Sequence, residues 1–152
     1  MKPKINRTHL SLFVKDPAVS AAWYQDVLSM DINARNGDEW IMMSFGQKHH
    51  DIALIRAPEG AVQGGIGLQH YGMEIEGDLT TLRQLYGMLL SKNVPIVKIT
   101  DHEVGLGLYF EDLDGNRLEF FLETEHDDEV GKQRFKATDA PSRPFQLDPI
   151  FE

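Results

Sequence analysis

The sequence predicts an α+β fold built from two successive β-α-β-β-β modules, which together form a concave mixed sheet with the helices outside. Two observations carry this. The same order of periodicities, one strand, one helix and three strands, occurs twice, and each copy opens on a strand that carries a histidine, His9 and His70. A stretch from Pro58 to Gly67 with four glycines separates the copies and reads as a linker. The modules span about 5–57 and 68–123.

In the first module, Thr8 to Val14 alternates, with Leu10, Leu12 and Val14 on one face and His9, Ser11 and Phe13 on the other, as in a half-buried strand. Asp16 stands where a helix N-cap belongs and Pro17 at the first helical position. Val19, Trp23 and Val27 recur at helical spacing as far as Ser29. Ile32 to Arg35, the Asn36-Gly37 turn signal, Glu39 to Phe45, and Asp51 to Ile55 then supply three strands.

The second module repeats the order. His70 to Ile75 reads as a strand, and Gly77-Asp78 gives a break and a cap. Leu82, Leu85, Tyr86, Leu89 and Leu90 line one helix face, which Gly87 weakens. Pro95 to Ile99 and Gly107 to Glu111 follow as strands, then a turn at Asp112 to Asn116 and a last strand, Arg117 to Leu122. Residues 1–125 therefore form the domain. Residues 126–152 run through Gly131, Pro141, Pro144 and Pro149 with little periodicity, and read as a tail packing on the domain or on a partner subunit.

Composition narrows the function classes. A chain of 152 residues is one ordinary domain that can bury a sizeable core. It has no cysteine, so it can hold no disulfide, thiolate zinc site or cysteine nucleophile, and any metal must be held by histidine nitrogen and carboxylate oxygen. The net charge of −9 repels phosphate backbones and anionic membranes, so no nucleic-acid or membrane partner is expected. No uncharged run approaches the ~18 residues of a membrane span, and a cytoplasmic protein is expected. The sequence contains no GxGxxG, P-loop, GxSxG or HExxH motif.

The faces of the strands point to chemistry. Leu118, Phe120 and Leu122 share a greasy face, as do Leu108 and Phe110 on the strand before. If helices cover that face, His9, His70, Tyr109 and Glu119 lie on the opposite, concave one. Two imidazoles and a carboxylate would hold a divalent first-row metal and leave adjacent positions open. The same residue types are also ordinary on a wet sheet face. His102 falls in a loop, where a histidine is commonly just solvated. His49 and His50 are adjacent and point to opposite faces of a strand, so both cannot serve one ion, and a structural role is expected for both. Asp112 to Asn116 lacks the spacing of a calcium loop and is read as a hairpin turn.

The paired modules, the histidine opening each, and the run Asp114-Gly115-Asn116-Arg117-Leu118-Glu119 resemble the vicinal oxygen chelate superfamily, that of glyoxalases, bleomycin-resistance proteins and extradiol dioxygenases. Asp101-His102 followed by Gly107-Leu108-Tyr109-Phe110 is similar to the closing signature of catechol 2,3-type extradiol dioxygenases. His49 to Leu54 also looks like a segment of their first module. Leu113 departs from the proline usual in this turn, and the single module pair resembles only the small members of the group. The resemblance implies that His9, His70 and Glu119 bind Fe(II), or less commonly Mn(II), that Tyr109 donates a hydrogen bond to bound catecholate, and that His102 is the acid/base. It thus implies a dioxygenase acting on a small aromatic diol and O2. A fourth ligand, as in a glyoxalase-like site, would be wanted near Ala53. The runner-up is a metal-dependent isomerase, epimerase or lyase; a metal-free ligand-sequestering resistance protein is the third reading. A homodimer or larger homo-oligomer is expected.

Overall fold

A computed structural model describes residues 1–152. The chain divides into two compact units, Met1–Gly64 and Gly65–Glu152, each with its own mixed sheet. None of the helices is long and apolar enough to cross a membrane.

Unit 1 contains β1 (Leu10–Val14), α1 (Pro17–Leu28), β2 (Asp31–Asn36), β3 (Trp40–Ser44) and β4 (Ile52–Arg56). The strand order is β1-β4-β3-β2. β1 runs parallel to β4, which requires a crossover, and the other pairs are antiparallel hairpins. The cap expected at Asp16 forms, its carboxylate accepting from the Ala18 and Val19 N–H groups at 3.0 and 3.4 Å. The buried face of α1 differs from the Val19–Trp23–Val27 stripe. Val19 is exposed, and the face runs through Ser20, Ala21, Tyr24 and Val27. Small residues at 20 and 21 let the helix approach the sheet while the fully buried Tyr24 fills the volume. Beneath it lie Leu12, Val14, Ile41, Met43, Ile52 and Leu54, all buried.

Unit 2 contains β5 (Tyr71–Glu74), α2 (Leu79–Ser91), β6 (Ile96–Asp101), β7 (Gly105–Glu111), β8 (Arg117–Glu123), α3 (Asp128–Ala137) and β9 (Arg143–Pro144). Its order is β5-β8-β7-β6-β9, with β5 parallel to β8. The unit 1 topology thus recurs with one strand added. Asp78 caps α2, accepting from the Thr81 N–H at 3.1 Å while the Thr81 hydroxyl accepts from the Asp78 N–H at 3.3 Å. The greasy face is the core: Leu108, Phe110, Leu118, Phe120 and Leu122 are buried with Leu82 and Leu89 of α2. In the β7–β8 turn, the buried Asp112 carboxylate accepts from the Asp114 N–H at 2.9 Å and the Asn116 N–H at 2.8 Å. These bonds stiffen the turn, so an exposed Leu113 is tolerated there.

Residues 126–152 are more ordered than their lack of periodicity suggests. Asp127 caps α3, Asp128 and Glu129 occupy its first turn, and Arg134 and Lys136 its last, all signals for a helix that buries none of its own residues. The chain then adds β9 to the sheet edge and returns over α2. There Leu147 is buried, Arg83 Nε donates to the Asp148 carbonyl at 2.8 Å, and the Ile150 N–H donates to the Arg83 carbonyl at 3.0 Å. Gly87, which weakens the helix, makes this contact possible: a Cβ there would stand 2.0 Å from the Ile150 carbonyl oxygen. An alanine for glycine inside a helix ordinarily gains about 1 kcal/mol. We expect Gly87→Ala instead to destabilise by about 1–3 kcal/mol through overpacking against backbone. Thermal unfolding decides the sign, and a raised Tm would contradict the packing described.

Candidate functional site

Register places the site residues. In unit 2, Glu119 on β8 faces Gly72 of β5 on one side and Tyr109 of β7 on the other. Thr100 of β6 lies opposite Gly107 of β7, on the same face. His70 stands two positions before Gly72, just ahead of β5, and His102 follows the last residue of β6 in the turn to β7. Five side chains, His70, Thr100, His102, Tyr109 and Glu119, therefore share one patch of one sheet.

Glu119 is its centre and is only 6% exposed. Its Oε2 lies 3.2 Å from His70 Nε2, and its Oε1 lies 3.8 Å from His102 Nε2. The neighbouring strands make room for it with glycine. A Cβ on Gly107 would be 2.4 Å from Glu119 Oε1 and 2.8 Å from the Tyr109 ring, and one on Gly72 would be 3.1 Å from Glu119 Oε2. The carboxylate lies in a cradle that side chains at either position would fill.

The Tyr109 hydroxyl is pushed up to about 12 by burial first, then by its hydrogen bond to the Glu119 carboxylate and that group's charge. It therefore stays protonated, a donor, across the working range. Lys98 covers its ring, with Nζ 4.7 Å from the centroid. The His70 ring meets it edge-on at 5.2 Å. His102 Nε2 is 3.0 Å from the Tyr109 hydroxyl and 2.8 Å from Thr100 Oγ1, while Nδ1 is 3.0 Å from the Pro141 carbonyl oxygen. His102 is thus a bound member of the cluster rather than a solvated loop residue. Because the folded state retains the Tyr109 proton longer than an unfolded chain would, this group costs stability only as pH rises from about 10 towards 12. We expect the difference in phenolate absorbance between wild type and Tyr109→Phe to stay flat below pH 10. A phenol titrating below that would contradict the burial described.

His9 lies in unit 1, just ahead of β1. Its ring is 4.6 Å from that of His50, edge-on, and His49 Nδ1 is 2.6 Å from His50 Nδ1. Arg7 donates to the His50 carbonyl, and its guanidinium also reaches Asp51 at 3.1 Å. Burial, then the neighbouring His49, His9 and Arg7, lower the His50 pKa, which keeps the ring neutral at pH 7. The sequence predicts a structural role for His50, and its contacts with His9, His49 and Arg7 are packing contacts. The parallel pairing of Leu10 with Ile52 brings the residues ahead of both strands together. The same register aligns Ser11 with Ala53 as Gly72 aligns with Glu119. Ala53 is therefore the counterpart of Glu119 and offers no ligand.

A single ion about 2.0–2.2 Å from nitrogen and oxygen donors at right angles needs them about 3 Å apart. The His70–Glu119 separation of 3.2 Å fits that. Nowhere does the structure gather three His, Asp or Glu side chains into one metal-holding group.

Residues 6–120 match the family model described as Glyoxalase/Bleomycin resistance protein/Dioxygenase superfamily, and the chain belongs to that family. It is 31% identical over 106 residues to biphenyl-2,3-diol 1,2-dioxygenase 2 of Rhodococcus globerulus, covering 66% of this chain and 54% of that protein. The chain thus spans about half the length of that relative. Among solved structures, a glyoxylase/bleomycin resistance protein/dioxygenase domain from Frankia sp. EAN1pec superposes with a TM-score of 0.67 at 24% identity, over 82% of this chain and 96% of that one. Lactoylglutathione lyase from Agrobacterium tumefaciens superposes with a TM-score of 0.62 at 14% identity, over 78% and 95%. At these identities the two structures speak for the fold alone.

Proposed function

We propose that this protein is a non-haem Fe(II)-dependent extradiol dioxygenase, which opens the ring of a catechol-type vicinal diol and inserts both atoms of O2. The observation that carries the reading is the His70–Glu119 donor pair at 3.2 Å, with a protonated Tyr109 and His102 gathered round the same carboxylate. The dioxygenase among its relatives supports it. His70 and Glu119, both in unit 2, would hold the ion, and Mn(II) suits the same donors. Once bound, the ion supplies a point at which a vicinal diol and dioxygen are brought together. The chain does the rest. Tyr109 donates a hydrogen bond to a diol oxygen, and His102 Nε2 takes a diol proton and returns it when the ring opens. Burial of Glu119 among Tyr109, Thr100 and the two glycines excludes water from its outer side.

Anaerobically Fe(II)-loaded protein offered catechol, substituted catechols and biphenyl-2,3-diol tests this. We expect equimolar oxygen uptake and a yellow ring-opened product. Stoichiometric bound metal with no uptake would replace this reading with a metal-dependent isomerase, epimerase or lyase, and no bound metal with a ligand-sequestering protein. The proposal includes a homo-oligomer, which a monomeric mass in solution would remove.

A further inference from the structure

The chain beyond residue 120 lies outside the segment matched by the family. Several contacts nonetheless bring it onto β6 and the β6–β7 turn that carries His102. β9 pairs with the edge of β6, Pro144 opposite Thr100 and Arg143 opposite Asp101, and the Phe145 N–H donates to the Ile99 carbonyl at 3.1 Å. Glu103, the residue after His102, accepts from Arg143 at 3.0 Å and pairs with Arg134 of α3 at 3.6 Å. The Pro141 carbonyl oxygen lies 3.0 Å from His102 Nδ1.

That last contact has a chemical consequence. A carbonyl oxygen only accepts, so the hydrogen of a neutral imidazole is on Nδ1, and the lone pair is on Nε2. Nε2 is the nitrogen that faces the Thr100 hydroxyl at 2.8 Å and the Tyr109 hydroxyl at 3.0 Å. The other tautomer would put a hydrogen on Nε2 and leave Nδ1 and the carbonyl as two acceptors facing each other.

Ser29, Asn93 and Asp139 have positive φ just past helix ends, where left-handed residues are usual. Glu103 at φ 73° follows His102 in the two-residue hairpin loop closed by the His102 N–H donating to the Gly105 carbonyl, and Ala140 at φ 48° follows Asp139 past the end of α3, its N–H donating to the Phe135 carbonyl at 2.9 Å. One adjoins His102 and the other adjoins Pro141, so a residue of positive φ stands next to each partner of that hydrogen bond.

We propose that residues 134–145 are a positioning element of the site: the Pro141 carbonyl fixes His102 as the Nδ1–H tautomer, and Arg134 and Arg143 hold its turn in place through Glu103. The tautomer stands on geometry alone; its consequence for turnover rests on the dioxygenase reading. Nitrogen NMR of the full chain with 15N-labelled histidine, His102 being identified by its loss in His102→Gln, reads the tautomer directly. Ala140→Pro imposes a φ near −65° and removes the N–H that donates to the Phe135 carbonyl at 2.9 Å, whereas Ala140→Gly accepts a positive φ freely. In wild type and Ala140→Gly we expect a protonated Nδ1 and a bare Nε2. In Ala140→Pro we expect mixed tautomers and, in the iron-loaded protein, a kcat lower by about tenfold with KM for catechol and bound metal unchanged. A protonated Nε2 in wild type, or an Ala140→Pro protein with wild-type tautomer and kcat, would overturn the proposal. Absence of turnover with the expected tautomers would strike the dioxygenase reading and leave the positioning intact.

Discussion

Glu119→Gln is expected to lose Fe(II) binding and ring cleavage together, by more than the ~10–100-fold that removal of an outer hydrogen-bond partner of a metal site costs. The substitution keeps the volume and one acceptor oxygen but removes the negative charge beside His70 Nε2, 3.2 Å away. A neutral amide oxygen is a far weaker ligand for a divalent ion than a carboxylate. Glutamine also fits the cradle between Gly72 and Gly107, so the fold should survive and the apo protein should melt close to wild type. Metal content after anaerobic loading and oxygen uptake with catechol are the two readouts. If both stay within a few-fold of wild type, Glu119 is not a ligand, and the centre described here is a buried polar cluster of the sheet.

How much of this was legible in the sequence follows from which interactions are local. Alternation identified the core strands of both modules because a half-buried strand repeats every two residues, and Leu108, Phe110, Leu118, Phe120 and Leu122 are buried as that alternation requires. Asp16 and Asp78 announced their helices because a cap acts on N–H groups within its own turn. Non-local pairing was not legible. Parallel registry sets His50 beside His9, and nothing in the segment around residue 50 signals it. α3 was missed for a different reason: it buries no residue and so has no apolar stripe, and only its cap and charges mark it. The sequence also shows no reason for Gly87, Gly72 or Gly107, because each answers to an atom from another element.

Gly107→Ala tests that last point where the expected effect is large. The strand conformation at 107 suits alanine, so backbone strain is not at issue; space is. The added methyl would lie 2.4 Å from Glu119 Oε1, 2.8 Å from the Tyr109 ring and 3.1 Å from Thr100 Oγ1, and all three cannot move away without breaking contacts. Thr100 is buried and its hydroxyl holds His102 Nε2 at 2.8 Å, and Tyr109 is pinned by burial and by Lys98. The carboxylate end of Glu119 is the most mobile of the three, so it is expected to swing away from Gly107 and change its approach to His70. Overpacking of this kind costs about 1–3 kcal/mol of stability, and a ligand misplaced by about 1 Å costs on the order of 100-fold in rate. Gly107→Ala should therefore fold, melt several degrees lower, and turn over catechol about two orders of magnitude more slowly. Gly72→Ala, with its nearest contact at 3.1 Å, should do the same more weakly. Equal and small effects at both positions would mean that the cradle does not set the carboxylate's position. A large loss at Gly72 with none at Gly107 would place the functional side of Glu119 away from Tyr109 and His102, and with it the proton transfer assigned to them.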